Sequence, residues 1–294
     1  MRIPLRFLTT ASTLWLCACP PQLSEPATKP APDRSAPSRS AHPACYDEVF
    51  GGEVDAKTPE QLLEAGRYTA LKGSLMIHNT QLVEVPPLAC LREVEHLHID
   101  LSPKLQSLIG LESITTVRAN LNLGTTEVLP DLHGLGNITS VGNQLFISNN
   151  RRLKTLAGLG RLERVGSGLY VTYNDALEDL HGLNKLQHVK GMFNLSENPA
   201  LKELVGLSSL QRIGGNFSIT SNGALFSLRG ITRLQYVGGD VYVHGCPRLP
   251  DCELLKLLKQ LRKQRPELKF DFADTLADEC TAELERLSKQ TVPD

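Results

Sequence analysis

A period of 24 residues runs through the middle of this chain and leaves few folds open to it. Leu145-Phe146-Ile147-Ser148-Asn149-Asn150 is followed by Leu169-Tyr170-Val171-Thr172-Tyr173-Asn174, and the pattern returns at Phe193, Phe217 and Val241. Earlier copies begin at Leu121, Leu97 and Leu75, the last of them 22 residues ahead of its neighbour. Self-similarity at such a spacing marks a solenoid, in which each repeat buries its apolar face only against the repeats beside it. The L-x-I piece alternates apolar and polar, the periodicity of a strand with one buried face. The expected fold class is mainly β with capping helices. About eight 24-residue turns, stacked at about 4.8 Å each, would make a rod roughly 38 Å long.

Other positions of the repeat serve the same interior. Leu156, Leu180, Leu204 and Leu228 form one inward row, and Val141, Val165, Val189, Ile213 and Val237 form another. Gly134, Gly158, Gly182, Gly206 and Gly230 suit a tight corner, with positive φ or close backbone approach. Asn150, Asn174, Asn198 and Asn222 share one register, which Ser102, Thr126 and Cys246 occupy in other turns. Stacking puts these side chains above one another, where each amide can bond backbone groups that the bend leaves unpaired.

The front of the chain reads differently. In Met1–Ala18, Arg2 and Arg6 precede the mostly apolar run Phe7–Leu16, a secretory signal pattern too short to span a bilayer. The sequence Leu16-Cys17-Ala18-Cys19 resembles a bacterial lipobox, which implies cleavage before Cys19 and lipid on its sulfur and amine. Pro20 follows rather than Asp, and the resemblance then implies the outer membrane or cell surface. Residues 19–44 hold seven prolines and cannot build a core, so they form a tether. The expected organisation is signal peptide 1–18, lipidated tether 19–44, solenoid with helical caps 45–280 and tail 281–294.

Both ends of the repeat array need covering. Thr58-Pro59-Glu60-Gln61 starts a helix, with Thr58 as N-cap and Pro59 at the first helical position. At the other end, Leu254, Leu255, Leu257, Leu258 and Leu261 lie at helical spacing. Glu53-Val54 reads as a first short strand and Lys269–Phe272 as a last one. Five cysteines follow the signal, and export permits disulfides. Cys246 sits in the Asn register and is expected as a buried free thiol. The other four lie at the two ends, as Cys45–Cys90 and Cys252–Cys280.

The strings Leu207-Ser208-Ser209-Leu210-Gln211-Arg212-Ile213-Gly214-Gly215-Asn216-Phe217 and Leu228-Arg229-Gly230-Ile231-Thr232-Arg233-Leu234-Gln235-Tyr236-Val237-Gly238-Gly239 resemble the receptor L domain. That is the leucine-rich-repeat-like solenoid of insulin- and EGF-receptor ectodomains. The likeness spans about residues 45–280 and includes the ending Leu249-Pro250-Asp251-Cys252 with Cys280. It implies a right-handed parallel β-solenoid that binds protein ligands without catalysis. The sequence lacks the cysteine-rich domain, transmembrane helix and kinase of those receptors, so their ligands do not carry over.

No G-x-S-x-G, H-E-x-x-H, P-loop or C-x-x-C motif occurs, and no carboxylate cluster of the polysaccharide-cleaving β-helices is visible. A formal charge of −1 argues against a generic nucleic-acid or anionic-membrane surface. The chain is therefore read as a non-enzyme with no cofactor. Its partner would be a protein or glycan, it would touch the membrane only through its N-terminal lipid, and it would be a monomer. The alternatives are a structural envelope protein and a polysaccharide-acting enzyme. The sequons at Asn137, Asn194 and Asn216 are accidental in a bacterial lipoprotein.

Outward strand positions are the place for a contact surface. Aligned turns give the row Met76, His98, Asn122, Phe146, Tyr170, Asn194, Ser218 and Tyr242, and beside it His78, Asp100, Gly124, Ser148, Thr172, Ser196, Thr220 and His244. Phe146, Tyr170, Tyr242 and His244 are the candidate ligand contacts, since exposed aromatics are favoured recognition groups. A cross-strand pair that only stabilises the sheet is the plainer reading of Phe146 and Tyr170. His78, His98 and Asp100, with His96 on the same face, are a weak metal candidate against a hydrated polar patch.

Overall fold

The computed structural model describes residues 45–290. The signal peptide at 1–18, the lipid site Cys19, the tether to residue 44 and residues 291–294 lie outside the described residues. What is described is a parallel β-solenoid with three helices. Leu121–Gly124, Leu145–Ser148, Leu169–Thr172, Phe193–Ser196 and Phe217–Thr220 pair in register, each strand one repeat from the next. Ala70–His78 and Glu93–Asp100 precede them, and Val241–Pro250 follows.

The turn count differs from expectation. Val54–Asp55 adds to the front of the ladder and Phe270–Leu276 to its back, which makes ten stacked turns rather than eight. The 24-residue period ends before these two strands, because they belong to the caps and are joined by helices. Each still finds its place, since an open sheet edge offers a row of unpaired N–H and C=O groups. A second ladder of two-residue strands runs alongside, through Thr116–Val117, Ser140–Val141, Arg164–Val165, His188–Val189, Arg212–Ile213 and Tyr236–Val237.

The inward rows are buried from end to end, as one continuous core. The polar column lies within it. Asn174 Nδ2 donates to the Ile147 carbonyl at 3.0 Å, the Thr172 carbonyl at 3.1 Å and Asn198 Oδ1 at 3.2 Å. Its Oδ1 accepts from the Asn150 backbone N–H and from Asn150 Nδ2, both at 3.1 Å. Asn198 repeats the arrangement on Asn222, and Thr126 Oγ1 donates to Asn150 Oδ1 at 2.7 Å. Two members escaped the sequence pattern. Thr80 is buried just before the 22-residue step, and Thr275 pairs with Cys246 in the added last turn.

The residue before each column member bends the chain. Leu101, Thr125, Asn149, Tyr173, Glu197 and Ser221 all have φ between 47° and 58°. Non-glycine residues rarely adopt this left-handed region. Four of these bends are held by the next side chain reaching back to the strand carbonyl two residues before it, as Ser102 does to Asp100, Asn174 to Thr172, Asn198 to Ser196 and Asn222 to Thr220.

The caps close both ends. Helix α1, Pro59–Ala65, begins with a capping box in which Thr58 Oγ1 accepts from the Gln61 N–H and Gln61 Oε1 accepts from the Thr58 N–H. It buries Leu62 and Ala65. Gly66 ends it at φ −66°, where a side chain would press on the Leu88 backbone. Helix α2, Asp251–Arg262, buries Leu254, Leu255, Leu257, Leu258 and Leu261. Helix α3, Thr281–Ser288, carries the cap past residue 280 and buries Leu284. The Asp251 carboxylate, 2% exposed, accepts from Thr275 Oγ1 at 2.7 Å and Thr281 Oγ1 at 2.6 Å, tying α2 to the last strand and to α3. Cys45–Cys90 and Cys252–Cys280 are disulfides, and Cys246 is a buried free cysteine.

Candidate functional site

The outward face of the long ladder is built by strand parity. In Leu169–Thr172, Leu169 and Val171 are buried, while Tyr170 and Thr172 point the other way and are half-buried. Leu145–Ser148 is the same. Register then sets Tyr170 beside Phe146 on one side and beside Asn194 on the other. The Phe146 and Tyr170 rings stack with centroids 4.7 Å apart and planes 11° from parallel. The Tyr170 ring lies over Gly168, where any Cβ would collide with it. Asn194 Oδ1 is buried without a hydrogen-bond partner among the described residues.

Tyr242 and His244 stand apart from that pair. Asn194 and Ser218 separate Tyr242 from Tyr170, three register steps or roughly 14 Å. Tyr242 donates its hydroxyl to Asp240 Oδ2 at 3.2 Å. That hydrogen bond and the Asp240 charge push the phenol above its ordinary pKa. His244 Nε2 faces Asp271 Oδ2 at 3.5 Å, too long for a well-formed hydrogen bond. Asp271 belongs to the added last strand and sits beside Tyr242, so the outward row ends on a carboxylate that the repeat pattern did not reach. The four candidate contacts thus form two patches. The second borders a cleft of about 800 Å³, lined by Tyr242, Asp240, Asp251, Asp271 and Glu285 among others.

The histidine cluster does not assemble as a metal centre. His78 is in register with Asp100, as aligned, but its Nε2 pairs with Asp55 Oδ1 at 3.1 Å. Asp55 also takes Lys57 at 2.9 Å. His98 stacks on His96 at 5.8 Å between ring centroids. Among the described residues, three candidate ligands converge only at Cys252, Asp278 and Cys280, where both sulfurs are already bonded to each other. The Asp55 partner was not visible because it lies outside the repeat, in a strand of the front cap.

His98 is expected to make this end of the sheet acid-sensitive. Burial, and then the neighbouring His96, pull its pKa below the ordinary value of 6.5. The unfolded chain therefore binds its proton at a higher pH than the fold does. Stability rises with pH wherever the unfolded state binds more protons, so this contribution is full above about pH 6.5 and declines as pH falls below it. His98→Asn copies Asn122 from the next turn. Between pH 7 and pH 5 the urea midpoint of this variant should fall less than that of the parent. An equal fall would show that His98 is not the group responsible.

Cys246 belongs to the buried column rather than to the outward face. Its Sγ lies 3.5 Å from the His244 carbonyl oxygen, and burial pushes the thiol pKa upward. No helix among the described residues is long and apolar enough to cross a membrane. No protein-family model matches the chain, and no curated protein matches it either.

Proposed function

We propose that this chain is a non-catalytic recognition module of the cell envelope, with receptor L domain-like architecture. Lipid on Cys19 anchors it at the outer membrane or cell surface, and the outward face of its sheet contacts a protein or glycan. The observation that carries this reading is the Phe146–Tyr170 stack. It stands half-exposed on a flat face, where a partner would gain apolar contact with both rings. The hydroxyls of Ser148, Thr172, Ser196 and Thr220 run parallel to it, in register, and supply adaptable polar contacts. The receptor L domain likeness rests on the repeat strings and on the cysteine-closed ending at Cys252 and Cys280, and supports a binding rather than a catalytic role.

One observation also favours a purely structural envelope protein. The two rings cover each other's faces, as a cross-strand pair that merely supports the sheet would. The Phe146→Ser/Tyr170→Ser variant separates the two readings. If the face recognises a partner, affinity capture from envelope extracts and glycan-array binding should weaken at least tenfold while the variant melts cooperatively. Truncated aromatic anchors commonly cost about 2 kcal/mol or more of binding energy. If captured partners and glycans are unchanged and only the melting temperature drops, the pair is structural.

A further inference from the structure

The second, shorter ladder carries an arrangement that the net charge conceals. Its outward column runs Ser140, Arg164, His188, Arg212 and Tyr236, residues directly opposite one another in consecutive turns. The four stretches 160–166, 184–190, 208–214 and 232–238 together hold Arg161, Arg164, Lys185, Lys190, Arg212 and Arg233, against the single carboxylate Glu163. All six cationic side chains are exposed. No carboxylate among the described residues pairs with any of them.

We infer that this stripe is a binding surface for a linear anionic polysaccharide, one carrying carboxylate or sulfate groups along its length. Three observations select that partner. Each of the four turns carries at least one of these cations, and the turns are stacked at about 4.8 Å, an interval close to the length of one sugar residue. Beside them, Gln187, Gln211 and Gln235 follow one another in consecutive turns and offer amides suited to hydroxyl groups. Nucleic-acid surfaces without sequence preference instead interleave cations with free aromatic faces for base stacking. The aromatic residue in this column, Tyr236, has the Arg212 guanidinium 3.7 Å from its ring centroid. The stripe lies on a different ladder from Phe146 and Tyr170, and the inference does not depend on the role given to them.

The repeat supplies a mild variant. Arg161→Ser copies Ser209, Arg164→Ser copies Ser140, and Lys190→Gly copies Gly166, each the residue that the same register holds in another turn. The full chain should bind polygalacturonate or heparin with an affinity that falls as salt rises. The triple variant should bind at least tenfold more weakly while melting no lower than the parent. Arg151→Ser/Arg152→Ser, which removes two exposed cations just past the polar column, should bind as the parent does, as should Phe146→Ser/Tyr170→Ser. Failure of the parent to bind either polysaccharide would overturn the inference. So would equal loss in the Arg151/Arg152 control, or loss in the aromatic variant. Binding of a single-stranded oligonucleotide or of anionic vesicles at least as tightly, through the same three residues, would replace the polysaccharide with that partner.

Discussion

Asn174→Ala should destabilise the solenoid by roughly 3–5 kcal/mol, among the larger effects a single substitution produces. Asn174 is fully buried and sits in the middle of the polar column. Alanine removes the acceptor of the Asn150 backbone N–H and leaves that donor buried without a partner. It also removes the bonds from Nδ2 to two strand carbonyls and to Asn198 Oδ1. An unmet buried donor or acceptor costs about 1–3 kcal/mol, more than an average hydrogen bond contributes. The bend at Tyr173, φ 58°, loses its brace as well. Asn174→Thr should cost less, because Thr126 already fills the same column position two turns earlier and bonds along the column to Asn150 Oδ1. Urea midpoints measure both. A loss below about 1 kcal/mol for alanine would mean that the column is incidental to the stacking of turns.

Gly182→Ala should be at least as damaging, roughly 4 kcal/mol or more. Gly182 has φ 117°, a conformation essentially reserved for glycine. A Cβ there would also collide with the Leu156 carbonyl of the preceding turn. The turns can separate to admit it only by opening the buried Leu rows on both sides, and close-packed interiors resist such a shift. Gly160→Ala is the control, since nothing lies within 4 Å of its added Cβ. That substitution should leave the thermal midpoint unchanged or raise it slightly, by restricting the unfolded chain. Equal tolerance at both positions would contradict the close approach of turns at this corner.

Much of the candidate surface was legible because register in a solenoid is register in sequence. Phe146 and Tyr170 are 24 residues apart in the chain and stack face to face in space. The same arithmetic placed Asn150, Asn174, Asn198 and Asn222 in one column and left Cys246 as the free thiol. It failed where the period fails. Asp55 and Asp271 lie in cap strands, so neither the pairing that draws His78 toward Asp55 nor the carboxylate beside Tyr242 could be aligned. The left-handed bends were hidden for another reason. Leu101, Tyr173 and Glu197 carry no local signal for positive φ, since the conformation is imposed by the neighbouring column rather than chosen by the residue.

The sequence by itself determined the repeating coil, its buried rows and the order in which side chains stack. All three follow from a fixed period and from apolar residues that no single turn can bury alone. Tertiary structure decided what lies at the ends and what lies side by side on different faces. Cap strands join the sheet by backbone pairing, which is indifferent to side-chain identity. Whether Arg164, Lys185 and Lys190 form one charged stripe or scatter around the coil depends on where the chain turns its corners. Those corners are set by glycines pressed against neighbouring carbonyls and by an amide column bracing the bends, contacts that exist only once the turns are stacked.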